Sequence, residues 1–181
     1  MTTDGINGIQ STNGVQKSSL NPVLKELAKN LGAIELPKSK QAITKADMET
    51  ALNEPRTGKA MLDLLEKSPV GLGNQQSGAE IEKLGYAFVG TAYHIGAPAV
   101  YGSQNGGTIK VYSGKGTAEM GENERKTVYQ NGNYIQESFY DEAGKLTKCN
   151  IRIKNDVTGS TEPNGMFTMF YNENGKRCFI R

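Results

Sequence analysis

No tryptophan occurs among the 181 residues, histidine occurs once, and cysteine occurs only at Cys149 and Cys178. One histidine and two separated thiols match no zinc spacing, and the scattered carboxylates match no calcium loop, so neither a metal nor another cofactor is expected. Two cysteines are also too few for a disulfide framework, which a chain of this length does not need. No window approaches the roughly 18 apolar residues of a membrane span, and the first residues have no basic-then-apolar order of a Sec-type signal. The expectation is a soluble chain, cytoplasmic or exported by a non-Sec route. A strong charge excess is missing too, with 21 Lys+Arg against 19 Asp+Glu. Nucleic-acid binding usually demands a larger basic surplus, so a protein partner is the expectation. Residues 1–85 contain no aromatic side chain, because all 8 Tyr and 5 Phe lie from Tyr86 onward. The bulky core therefore belongs to the second half.

Residues 1–20 draw 13 of their positions from Gly, Asn, Gln, Ser and Thr. Such a segment buries too little to offset the entropy of ordering it, so a disordered head is expected. In composition it resembles the polar heads of proteins exported by bacterial contact-dependent secretion systems. Helix signals follow. Asn21 as N-cap, Pro22 at the first helical position and Gly32 past the end bracket a stripe of Val23, Leu24, Leu27, Ala28 and Leu31. Thr44 with Asp47 three residues on is a capping-box variant, opening a second helix that turns Met48, Ala51 and Leu52 inward. A third helix over 57–67 buries Ala60, Met61, Leu64 and Leu65, and Ser68-Pro69 ends it.

Glycine then becomes dense, with 11 of the 22 in residues 71–116. Within that transition 79–84 reads as a short helix, while 86–100 fits a helix or a buried strand equally well. Beyond Val100 the apolar spacing switches to two, and strands are expected over 108–112, 126–130, 133–140, 145–154, 166–171 and 176–181. Asn131-Gly132 signals a type I′ hairpin, and Ala143-Gly144 and Asn174-Gly175 supply the left-handed positions of longer hairpin loops. Cys149, Ile151 and Ile153 share one strand face and Asn150, Arg152 and Lys154 the other, the pattern of a half-exposed meander. The expected architecture is one α+β domain over 21–181, helical over 21–85 and β-rich over 108–181. Its helices of 21–68 pack on one face of a five- or six-stranded, mostly antiparallel sheet.

The segment Phe139-Tyr140-Asp141-Glu142-Ala143-Gly144-Lys145 recurs as Phe170-Tyr171-Asn172-Glu173-Asn174-Gly175-Lys176, and each copy runs on to Cys-x-Ile-Arg, at Cys149–Arg152 and Cys178–Arg181. This describes a repeated hairpin with Gly where φ must be positive. Residues 134–181 resemble the YD-type and MORN-type hairpin repeats. That resemblance implies a scaffold or interaction surface and no reaction. Alternation with isoleucine puts both thiols on an inward face, and their equivalent places leave a disulfide between them as a second outcome.

The sole histidine, His94, sits among small and apolar neighbours, where a structural role is the common one. Arg56-Thr57-Gly58-Lys59 is missing the leading glycine and the trailing hydroxyl of a phosphate loop. One enzymatic scheme, a small nuclease-like or transferase-like toxin, would need His94, Glu137, Arg152 and Arg181 in one cleft, with Glu137 as base and His94 as acid. The leading expectation is a non-enzymatic interaction or structural protein, exported or not. It binds a partner through an open sheet face bearing Tyr140, Tyr171, Arg152 and Arg181.

Overall fold

The Thr44–Asp47 spacing builds the cap that its chemistry favours. In the computed structural model of the chain, which describes residues 35–40, 42–54, 58–92, 96–113 and 125–180, the Asp47 N–H donates to Thr44 Oγ1 at 3.2 Å. The Thr44 N–H in turn donates to the Asp47 carboxylate at 2.8 Å, which opens α1 (Lys45–Asn53). Lys67 Nζ lies 2.5 Å from Asp47 Oδ2 and so ties the last turn of α2 (Lys59–Lys67) to the first turn of α1. Helix α2 begins at Lys59 rather than at the expected 57, with Gly58, at φ +66°, as its N-cap. Ser77 caps α3 (Gly78–Lys83) by accepting from the Glu80 N–H. The helix expected over 21–31 and the disordered head fall outside the described residues. Chain contacts divide the molecule into Met1–Glu35 and Leu36–Arg181, and the architecture that follows belongs to the second unit.

Among the described residues the sheet has eight strands, not five or six. They are β1 (Ala87–Thr91), β2 (Ala99–Ser103), β3 (Gly107–Ser113), β4 (Arg125–Asn131), β5 (Tyr134–Tyr140), β6 (Leu146–Lys154), β7 (Thr161–Tyr171) and β8 (Arg177–Ile180). Spatial order equals chain order and every pairing is antiparallel. The two additional strands, β1 and the start of β2, take up the 86–100 stretch whose short apolar run resists assignment by periodicity, and β2 runs on to Ser103. The β4–β5 turn is also not the expected type I′ at Asn131-Gly132. Asn131 pairs with Tyr134, leaving Gly132 and Asn133 as the loop, and only Gly132 takes positive φ, at +57°. Glycine at the first loop position with positive φ is the II′ arrangement.

Even-numbered residues of β5 point inward, where Tyr134, Gln136, Ser138 and Tyr140 are all buried. They join Ile109, Tyr129, Cys149, Ile151, Ile153, Phe167 and Met169 from neighbouring strands. Met48, Ala51, Ala60, Met61, Leu64, Leu65 and Ile81 of the helices close over this face as one apolar cluster. Each such large aliphatic side chain contributes about 1.5–3 kcal/mol when fully buried. The polar members are tied together. Tyr134 Oη donates to Gln136 Oε1 at 2.9 Å, and Gln136 Nε2 donates to the Gly71 carbonyl at 3.2 Å and to Ser138 Oγ at 3.3 Å. Gln136 thereby pins the loop after α2 to the middle of the sheet.

The two echoed hairpins have the same turn. Asp141 Oδ1 accepts from the N–H groups of Ala143 and Lys145, at 3.0 and 2.9 Å, and Asn172 Oδ1 accepts from those of Asn174 and Lys176, at 3.1 and 2.8 Å. Gly144 (φ +80°) and Gly175 (φ +73°) complete them. The cysteines that follow do not share a face. Ser138 pairs with Cys149, whereas Phe170 pairs with Cys178. The two-residue difference between the copies would preserve the face, but a bulge at Phe139/Tyr140 adds one more residue and inverts it. Cys149 is buried, Cys178 is exposed, and both are free thiols. The inward placement expected for Cys178 is thus corrected, and the pairing of the two sulfurs with it.

Candidate functional site

The face of the sheet away from the helices carries a row that crosses six strands. By register it reads Tyr112, Lys126, Phe139, Lys148, Phe170, Cys178. Aromatic rings and ammonium groups alternate along it. Lys126 Nζ stands 4.9 Å from the Tyr112 ring centroid and 5.9 Å from that of Phe139. Lys148 Nζ stands 5.0 Å from Phe139 and 5.7 Å from Phe170. Each contact contributes about 0.5–1 kcal/mol where solvent reaches it. Together they hold two long, entropy-rich side chains upright over apolar surface.

A second row, Lys110, Val128, Glu137, Asn150, Thr168, runs beside the first, and a third continues as Thr108, Gln130, Ile135, Arg152, Met166. Glu137 is clasped from two sides, by Arg152 Nη2 at 3.2 Å and by Lys126 Nζ at 3.8 Å. Thr168 Oγ1 donates to Asn150 Oδ1 at 3.0 Å. In these three rows Lys110, Lys126, Lys148 and Arg152 face the one carboxylate of Glu137, which leaves a surplus of positive charge. Met166 closes the third row, 55 % exposed.

This surface is not made of the tyrosines singled out from sequence. Tyr140 is 3 % exposed and its hydroxyl is raised in pKa by burial, so it belongs to the core. Tyr171 is half-buried and packs against the core cluster. In each Phe-Tyr pair the phenylalanine, Phe139 or Phe170, takes the outer face. The inner face of β5 is rich in polar residues, so alternation along Tyr134–Tyr140 does not tell which side faces the core. The lysine–aromatic row is legible only once the cross-strand register is known.

Of the four residues an enzymatic scheme would need, Glu137 and Arg152 meet as an ion pair, and His94 and Arg181 lie outside the described residues. Glu137 engaged by two cations is arranged as a structural counter-ion rather than as a free base. The thiol of Cys149 is pushed up to about 11 by burial, against hydrogen bonds from Ser138 and Gln136 that pull it down, so it is not a nucleophile near neutral pH. Among the described residues no group of three or more His, Cys, Asp or Glu is placed to hold a metal, and no helix is long and apolar enough to cross a membrane. Comparison with protein-family models, with curated proteins and with solved structures finds no match to this chain.

Proposed function

We propose that the chain is a non-enzymatic interaction protein whose outer sheet face binds a protein partner presenting carboxylates. The observation that carries this reading is the alternating row Tyr112, Lys126, Phe139, Lys148, Phe170, in a surface where cations outnumber Glu137. An acidic segment laid across the strands meets ammonium groups already held in place, so little rotamer entropy remains to be lost on binding. The rings serve as supports beneath those groups. Because Lys126 and Lys148 cover the Phe139 and Tyr112 rings, a nucleobase would have to displace a cation before it could stack. Arg152 extends the same surface. The polar head adds a non-Sec export route to this proposal, which secretion assays with and without residues 1–20 test.

Fluorescence anisotropy with a labelled peptide of alternating Glu and Phe tests the binding reading, with single-stranded oligonucleotides as counter-probes. The peptide binds in a salt-dependent way, and the double variant Lys110→Glu, Lys148→Glu weakens it at least about 10-fold. Lys83→Glu on α3 leaves it unchanged. Equal binding by the double variant, or tighter face-dependent binding of the oligonucleotide, overturns the proposal.

A further inference from the structure

The two ends of the sheet differ in chemistry. Strand β8 ends it on one side, next to exposed Lys176 and with exposed Arg177 in the strand. Among the described residues strand β1 ends it on the other, and the chain from Gly85 to Ile109 contains no Asp, Glu, Lys or Arg. Edge strands ordinarily carry charge or proline, because an unprotected row of backbone N–H and C=O groups recruits another strand. β1 has neither. It also presents apolar side chains on both of its faces. Phe88 packs edge-on against Tyr101 of the inner face, ring centroids 5.5 Å apart, and is 48 % exposed. Val89 lies against Gly102, whose added Cβ would meet Val89 Cγ2 at 3.3 Å, and is 54 % exposed. Gly102 belongs to the outer face, through its pairing with Thr108. Apolar side chains on both faces are the mark of a strand that is covered on both. β1 thus leaves apolar surface half open on both faces of an edge that carries no charge.

We propose that β1 is the contact between two copies of this chain, pairing antiparallel with β1 of the second copy across a two-fold axis. The charges favour this pairing over one between two β8 edges. A neutral strand meets itself across a dyad without repulsion, whereas two β8 edges would bring Arg177 and Lys176 against their like. A self-complementary contact uses up β1 in both copies and leaves only basic β8 edges outside, so the assembly closes as a dimer and does not propagate. The bulge between Phe88 and Gly90 sharpens the local twist and keeps the paired stretch short. The contact is independent of the lysine-bearing face, which both copies keep.

Sedimentation velocity on the full chain across a concentration series tests this. Wild type sediments as a dimer in the tens-of-micromolar range. Val89→Lys, which sets two ammonium groups near the dyad, weakens dimerisation at least about 10-fold with an unchanged circular dichroism spectrum. Arg177→Glu on β8 has no effect on it. As a second readout, Val89→Cys in a Cys178→Ser background forms a disulfide dimer under mild oxidation. Val157→Cys in the same background stays monomeric, although Val157 is 91 % exposed and so more accessible than Val89. A wild-type chain that stays monomeric, a dimer insensitive to Val89→Lys, or cross-linking as fast at 157 as at 89 overturns the proposal.

Discussion

Replacing Gln136 by leucine tests whether the buried polar network holds the loop after α2 to the sheet. Gln136 is fully buried, and its amide serves three partners: the Tyr134 hydroxyl, the Gly71 carbonyl and Ser138 Oγ. Leucine fits the volume but answers none of them. The Tyr134 hydroxyl, itself buried and with a pKa raised well above normal by desolvation, then faces apolar surroundings with no acceptor. An orphaned buried group costs about 1–3 kcal/mol. Ser138 retains the neighbouring Cys149 sulfur at 3.6 Å, so the loss falls on Tyr134 and Gly71. The expected destabilisation is about 2–4 kcal/mol by urea unfolding, read as a lower midpoint at constant slope. Tyr134→Phe alone removes one donor and costs about 1–2 kcal/mol. The double variant takes away both ends of that bond, so its cost falls short of the sum by about 1 kcal/mol or more. A Gln136→Leu chain within about 0.5 kcal/mol of wild type, or strict additivity of the pair, would refute the reasoning.

Gly107→Ala should destabilise by at least about 2 kcal/mol in the same assay, because an added Cβ at φ +73° would lie 2.0 Å from the Gln130 carbonyl oxygen. Gly132→Ala, at φ +57° in open space, should cost about 1 kcal/mol from backbone strain alone, so equal losses at the two sites would contradict the steric account. Burial tends to raise the pKa of Asp47, but hydrogen bonds from Lys67 and Thr44 and the Lys67 charge outweigh it and hold the carboxyl below its ordinary value. The stability this contributes is present above the unfolded-state value near ~3.9 and is lost as pH falls through the lower folded value. Asp47→Asn should therefore cost about 1 kcal/mol at pH 7, a difference that shrinks in acid, and a pH-independent difference counts against the ion pair. A thiol reagent applied to the native chain should modify Cys178 at once and Cys149 only on unfolding. Two equally fast thiols would mean that β6 does not bury Cys149.

Most local signals agree between sequence and structure, the Asn131-Gly132 turn excepted, where Asn131 is drawn into the ladder and the loop shifts by one residue. The Thr44–Asp47 box, the Ser68-Pro69 stop and the Asp141 and Asn172 turns each involve residues within four positions of one another, so their chemistry is complete in the chain itself. What escaped depends on distant partners. The run 86–100 becomes part of two strands only because β3 offers an edge to pair with. The inward side of β5 is polar in Gln136 and Ser138, and these are satisfied by Tyr134, Gly71 and Cys149. Hydrophobic alternation therefore misassigns Tyr140 to the surface. The opposite placement of Cys149 and Cys178 turns on a single bulge residue, which no pattern of residue types announces. The Lys–aromatic row required six strands in register, and sequence supplied only its separate members.

A sheet whose spatial order repeats its chain order has a consequence for how it is made. Each ribbon finds its partner immediately upstream, so a chain emerging from the ribosome can zip one strand at a time without holding an unsatisfied strand for a distant mate. The last described strand, β8, is also the shortest of the eight, and its removal would return β7 to the margin without unthreading anything behind it. Loss of β8 alone should therefore trim the sheet as one slat is taken from a row, whereas loss of β7 as well would strip Phe167 and Met169 from beneath the helices.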